Sequence, residues 1–181
     1  SGLFNRNGTV TIVSSTFNDS IYHLGAANED TSGGTSRSGG SLTIDSTIIS
    51  TCENNGGTVT GPLANKNLIQ TNTGCGTPAL TVNPQLAPLG SYGGNKQTMP
   101  PLNGSPVINV GDNSVTGARY NLTTDQTGGA RQVNGTVDIG AYENQLILSP
   151  TTLPNAQVST PYNQTITASG GTPAYTFAVT S

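Results

Sequence analysis

A repeated pattern constrains this chain more than any other feature. Gly8-Thr-Val-Thr-Ile12-Val-Ser-Ser-Thr-Phe17 aligns with Gly40-Ser-Leu-Thr-Ile44-Asp-Ser-Thr-Ile48, and a weaker copy runs from Gly57-Thr-Val-Thr60 to Asn67-Leu-Ile69. The spacing is uneven, 32 residues from Ile12 to Ile44 and 25 from Ile44 to Ile69. Each copy reads as strand, sharp turn, strand and then a polar loop such as Glu29-Asp-Thr-Ser-Gly-Gly-Thr-Ser-Arg-Ser-Gly-Gly40. Such a unit cannot bury its apolar side alone, but stacked units can. Residues 1–82 are therefore predicted to form parallel β-coils, with the uneven spacing taken up by loop insertion at one corner.

Composition fits that reading and excludes others. Thr, Gly, Asn and Ser supply 28, 24, 19 and 17 of the 181 residues, while charged residues are 8%. That is too little Ala, Leu, Glu and Lys for a helical bundle. With six Lys and Arg and a net charge of −3 there is no basic footprint for nucleic acid. No apolar run reaches the length of a membrane-spanning helix. A disordered polar tract is the other option. Against it stand short β-branched runs bounded by turn residues: Val10–Val13, Leu42–Ile44, Thr47–Ile49, Asn67–Ile69 and Val107–Val110.

Cys52 and Cys75 are 23 residues apart, close to one coil. Neighbouring strands lie about 4.8 Å apart, within the Cα separations that a disulfide bridges. A bridge between adjacent coils is expected, with two free buried thiols as the other reading.

Residues 83–145 lose the rhythm. Six of the 11 prolines fall in 78–106, so extended chain and turns dominate. A stack of coils needs an atypical end that covers its open edge, and this stretch is expected to be that C-terminal cap. Residues 146–152 read as a short linker strand. Residues 153–181 read as alternating strands of a β-sandwich, too few to close two sheets. The sequence starts at Ser1 without Met and stops at Ser181 within an apparent strand, Tyr175–Val179. It thus reads as a segment of a longer protein, with leader and anchor outside it.

The stretches Asn83-Pro-Gln-Leu86, Leu89-Gly-Ser-Tyr-Gly-Gly-Asn95 and Gln97-Thr-Met-Pro-Pro-Leu-Asn-Gly-Ser-Pro-Val-Ile-Asn-Val-Gly-Asp112 resemble a module of large bacterial surface proteins. So do Asp125-Gln126, Arg131, Asn134-Gly135 and Val137-Asp-Ile-Gly-Ala-Tyr-Glu143. It is the "choice-of-anchor Q" type, which closes right-handed parallel β-helices. The resemblance covers about residues 1–145. Thr127 departs from it, standing where the pattern has Arg. Residues 153–181 resemble the first half of a bacterial Ig-like repeat, through Leu153-Pro, Tyr162 and Gly170-Gly-Thr-Pro-Ala-Tyr-Thr-Phe177. The resemblance implies a secreted protein displayed at the cell surface, built as a right-handed β-helix (solenoid) with a cap followed by Ig-like strands. It implies no known reaction.

Candidate chemistry is sparse. Glycosidic cleavage or Ca²⁺ binding on a β-helix needs clustered carboxylates. Of the nine acids, the adjacent pair Glu29-Asp30 sits in a polar loop. His23, the one histidine, has no carboxylate beside it in sequence and reads as a surface or turn residue. No nucleophile-elbow serine or phosphate-cradling loop occurs. Asp125, Asp138 and Glu143 in the cap, with Arg119 and Arg131 as partners, form either an ion-pair network or a Ca²⁺ site. The network is the favoured reading. Asn-x-Ser/Thr sequons occur at Asn7, Asn18, Asn103, Asn121, Asn134 and Asn163.

The expected function is a non-enzymatic structural or adhesive segment of an extracellular surface protein, without catalytic residues or cofactor. Its expected partners are neighbouring domains or subunits and host or environmental glycans, and the chain could build a fibre. The alternative is a pectate-lyase-like β-helix that binds or cleaves polysaccharide.

Overall fold

A computed structural model describes residues 2–5, 8–24, 40–60, 66–150, 152–169 and 177–178. The strands are β1 Leu3–Asn5, β2 Thr9–Val13, β3 Thr16–Leu24, β4 Ser41–Asp45, β5 Ile48–Asn55, β6 Thr58–Thr60, β7 Leu68–Thr73, β8 Ile147–Ser149 and β9 Thr167–Ser169. The class is all-β. One sheet runs β1-β3-β5-β7 and a second β2-β4-β6, and every pairing within them is parallel. Strands adjacent in sequence therefore lie in different sheets, and one passage through both sheets makes a round.

The register reproduces the repeat. Val10 pairs with Leu42, Ile12 with Ile44 and Thr16 with Ile48. The third copy starts where expected, with Ser41 opposite Thr58, but Ile69 pairs with Ile49 rather than with Ile44. The basic round is consequently shorter than the sequence spacing suggests. It spans 18 residues from Leu3 to Ile21, 17 from Ser41 to Thr58 and 20 from Ile48 to Leu68. The interval of 32 from Thr9 to Ser41 includes the polar stretch of sequence between β3 and β4; residues 25–39, with Glu29 and Asp30 and the polar loop expected there, lie outside the described residues.

Two kinds of turn carry the chain between sheets. At one corner Ser14 and Ser46 adopt left-handed φ values of 44° and 46°. Backbone ladders run on through this corner, with Ser14 N donating to Asp45 O at 2.9 Å and Ile48 N to Ser15 O at 2.9 Å. At the other, an asparagine clamps the turn. Asn5 Oδ1 accepts from Gly8 N and Asn54 Oδ1 from Gly57 N, each at 3.0 Å, and Asn72 Oδ1 accepts from Cys75 N at 3.0 Å. These side chains satisfy turn amides that no ladder reaches.

His23 holds the rung between Asn5 and Asn54. It is wholly buried, contrary to the surface or turn position expected from sequence. Side chains alternate between the faces of a strand, and this rung points inward, with Asn5 buried beside His23 while Phe4 and Tyr22 on the next rung are exposed; here a glycine makes room. A Cβ added at Gly57 would stand 2.2 Å from His23 Nε2. Gly57→Ala should therefore cost about 2 kcal/mol, the usual scale of overpacking. Adding His23→Asn, the residue of the neighbouring rungs, should recover most of that loss. Thermal melts of the single and double variants check this; equal melting temperatures would refute it.

Ile12, Ile21, Leu42, Ile44, Ile49, Cys52, Ile69 and Cys75 form the buried core of the rounds. Cys52 and Cys75 are bonded, with Cα atoms 6.1 Å apart. Cys75 is not the ladder partner of Cys52, since Asn72 occupies that place. It enters instead from the asparagine-clamped turn after β7, so the bridge ties a strand to the next turn. Closing a 23-residue loop contributes about 3 kcal/mol on the chain-entropy account. The double variant Cys52→Ser, Cys75→Ser should lose that amount in a denaturant titration, with a larger m-value because the uncrosslinked chain unfolds to a more open ensemble.

Residues 83–145 contain no strand, only isolated bridges such as Leu86–Pro101 and Thr124–Ala130 and a 3-10 turn at Asn113–Thr116. The strand expected at Val107–Val110 is a turn. Ile108 N bonds back to Ser105 O and Asn109 takes a φ of 55°. Pro106 and the left-handed Asn109 override the β-branched run. Val107 still becomes core, packed with Ile48, Leu68 and Ile139. The segment docks on the corner: Gly140 N donates to Ser46 O at 2.8 Å, Asp112 N to Ser46 Oγ at 2.9 Å and Ala141 N to Thr16 Oγ1 at 3.1 Å. Gly140 has a φ of 111°, and a Cβ there would lie 2.8 Å from Ile48 Cδ1.

Beyond this, β8 and β9 pair antiparallel, Leu148 opposite Ala168. The expected linker strand is thus half of a hairpin rather than a separate element. The stretch 153–162 carries no strand, and Tyr162 OH donates to Pro154 O at 2.7 Å. Of the strand expected at Tyr175–Val179, residues 177–178 are described and are not strand.

Candidate functional site

The acids singled out by sequence converge. Arg131 is 1% exposed and Asp125, Asp138 and Glu143 are 9%, 0% and 0% exposed. Arg131 Nη2 donates to Asp138 O at 2.8 Å, and Nη1 stands 3.8 Å from Glu143 Oε2 as an ion pair. The carboxylates staple backbone. Asp125 Oδ1 accepts from Thr127 N at 2.8 Å and Gly129 N at 3.0 Å, and Oδ2 from Glu143 N at 2.9 Å. Asp138 accepts from Asn109 N at 2.7 Å and Asn144 N at 2.6 Å. Glu143 accepts from Val133 N at 3.1 Å and Asp138 N at 2.8 Å. All six carboxylate oxygens hold a backbone N–H, which is the arrangement of a structural clamp. Among the described residues no group of three or more His, Cys, Asp or Glu is placed to hold a metal ion. Thr127 makes its own contact with Asp125, its Oγ1 donating to Oδ1 at 2.7 Å.

Burial sets the electrostatics. It lowers the pKa of Arg131, against the pull of Glu143, Asp138 and Asp125. It raises Asp138, against bonds from Asn109 and Asn144. Glu143 is pushed up to about 7, chiefly by burial, with the Asp138 and Val133 amides and Arg131 pulling the other way.

Arg119 is not part of this cluster. Its guanidinium lies 5.1 Å from the Tyr120 ring centroid, and it acts on Asp45. Asp45, which sequence reasoning did not single out, ends β4 wholly buried, and neither carboxylate oxygen has a hydrogen-bond partner. Burial and then Asp112 push it up to about 6, with Arg119 opposing. The Tyr120 hydroxyl is likewise buried without a partner, and burial raises its pKa. A signal for Asp45 was present: the register sets it opposite Val13, an acid replacing an apolar residue between copies.

A recess of about 490 Å³ opens where the coil corner meets the docked segment. Its walls are Ser14–Phe17 from the corner and Leu122, Thr124 and Gln126 from the segment, with Asp125 and Arg131 behind. Elsewhere, Phe4 and Tyr22 form an exposed pair on adjacent strands, ring centroids 6.5 Å apart. The sequon asparagines Asn18, Asn103, Asn121, Asn134 and Asn163 are exposed, and Asn7 lies outside the described residues.

No family model, curated protein or solved structure matches this chain.

Proposed function

We propose that the chain is a non-enzymatic structural or adhesive segment of a larger surface protein. Its two parallel sheets are the end of a right-handed β-helix, residues 83–145 close the last rounds, and the C-terminal hairpin leads into an Ig-like module. The observation that carries this reading is the in-register stacking of rounds ending in a strand-free segment docked on the corner. Stacking gives stiffness with few charges, and the buried acids are committed to holding backbone. The disulfide suits an oxidising, extracellular setting. Partners on this reading are neighbouring domains or subunits of the same protein, and glycans.

The competing reading, a polysaccharide-binding or polysaccharide-cleaving β-helix, draws on the exposed Phe4–Tyr22 pair, since aromatic faces stack on apolar ligand surfaces. Incubation with pectin-like polymers separates the two, and the structural reading expects no release of reducing ends. Protease shaving of intact cells carrying the natural protein should release peptides of this segment. Protection of the segment, or release of oligosaccharide products, would overturn the proposal.

A further inference from the structure

One row of side chains on the outer face of the β1-β3-β5-β7 sheet has the chemistry of a cation-binding surface. Register sets Phe4 beside Tyr22, Tyr22 beside Glu53 and Glu53 beside Thr73. Such a row steps about 4.8 Å from strand to strand, so two aromatic rings and a carboxylate stand side by side. All four residues are exposed, Phe4 by 61% and Tyr22 by 37%. The rings lie 6.5 Å apart, tilted by 44°. Glu53 has no ion-pair or hydrogen-bond partner among the described residues. We infer that this row receives an arginine side chain presented by a separate partner protein.

Charge and shape select that occupant. A ring face attracts a cation through its quadrupole, and an ionised carboxylate only accepts hydrogen bonds. Rings beside a carboxylate therefore call for one group that stacks, donates and carries positive charge. The row is open on one side, which suits a planar guanidinium: it lies on a ring while its N–H fork reaches the neighbouring carboxylate. A quaternary ammonium is held by rings on several sides, and here rings stand on one side only. The chain has a net charge of −3, so a basic partner is drawn toward it. The two described arginines of the chain itself are committed elsewhere, Arg131 buried and Arg119 on the Tyr120 ring. The polysaccharide reading uses the same two rings but gives Glu53 no part, so Glu53 tells the two apart. The inference goes beyond the structural reading and does not depend on it.

Titration of the folded chain with an acetylated and amidated Gly-Ser-Arg-Ser-Gly peptide, followed by ¹H–¹⁵N spectra, tests it. Saturable shifts should appear at Leu3–Asn5, Ile21–His23 and Cys52–Asn54, with a millimolar Kd that rises with salt. Citrulline in place of the arginine keeps the shape and removes the charge, and should weaken binding about tenfold; lysine should weaken it about threefold. Glu53→Gln and Tyr22→Leu should each weaken it about threefold. Both positions are exposed, so the melting temperature should change little. Absence of saturable shifts with the arginine peptide would overturn the proposal. So would equal binding of the citrulline peptide, or unchanged binding in a folded Glu53→Gln variant. Co-sedimentation with phosphatidylcholine vesicles in place of peptide binding would overturn it too, by giving the row to a membrane. Failure of the peptide to bind leaves the structural reading untouched, and oligosaccharide release from polymers would sink that reading without touching this one.

Discussion

Arg131→Met should lower the melting temperature by on the order of 10 °C. Arg131 is the one cation among three buried carboxylates, and its guanidinium also bonds Asp138 O. Methionine keeps much of the apolar volume but removes the charge. Breaking a buried ion pair by deleting one partner costs about 3–5 kcal/mol because the remaining charge is left uncompensated. For a chain of this size, 1 kcal/mol moves the melting temperature by about 2–4 °C. The loss should be smaller at pH 5 than at pH 8, because Glu143 can then take up a proton and need no counter-charge. By contrast Arg119→Met, which removes a cation from the neighbourhood of Asp45 and not from this cluster, should cost far less. Equal effects at the two arginines, or no dependence on pH, would show that Arg131 is not the centre of the clamp.

The network and the stack were readable from sequence to different depths. The repeat was legible because parallel pairing puts like residues opposite one another: Ile12 meets Ile44 and Val10 meets Leu42. Its period was misjudged at the third copy, where Ile69 pairs with Ile49, because apolar identity alone does not reveal which strand a residue belongs to. His23 was misplaced for a similar reason. Its inward position follows from sharing a rung with Asn5 and Asn54 and from the missing Cβ of Gly57, which are facts of register. The run Val107–Val110 looked like a strand by residue type, yet backbone turning at Ser105 and Asn109 decided otherwise while keeping Val107 in the core. Asp125, Asp138 and Glu143 stood out because acids are scarce in this chain. The choice between Arg119 and Arg131 as their partner did not, since only folding brings one of them inside. Asp45 was hidden most deeply. Its burial comes with Asp112 and Arg119 from a segment more than sixty residues away, and the sequence marks it only through the repeat alignment that sets it opposite Val13.

Asp45 also governs how stability should follow pH, and the expected direction is unusual. Its native pKa is raised from the ordinary 3.8 to about 6, and that of Glu143 from 4.5 to about 7. In the unfolded chain both titrate at ordinary values. Between about pH 4 and pH 7 the native state therefore binds more protons than the unfolded state, and stability falls as pH rises. It is fully present below the unfolded values and is lost through pH 6 for Asp45 and pH 7 for Glu143. At 1.36 kcal/mol per pH unit and group, the whole window amounts to about 6 kcal/mol for these two groups. Most proteins with clamped carboxylates lose stability in acid; this one should melt highest near pH 4–5 and lowest near pH 8. Asp45→Asn discriminates the cause. Asparagine resembles the protonated acid, so the variant should match the natural chain near pH 4. At pH 8 it should exceed it by on the order of 3 kcal/mol, leaving the part of the slope that Glu143 and Asp138 carry. Denaturant titrations at pH 4, 6 and 8 measure both curves. A flat profile for the natural chain, or a variant that runs parallel to it at all three values, would mean that Asp45 is not held as the neutral acid at this seam.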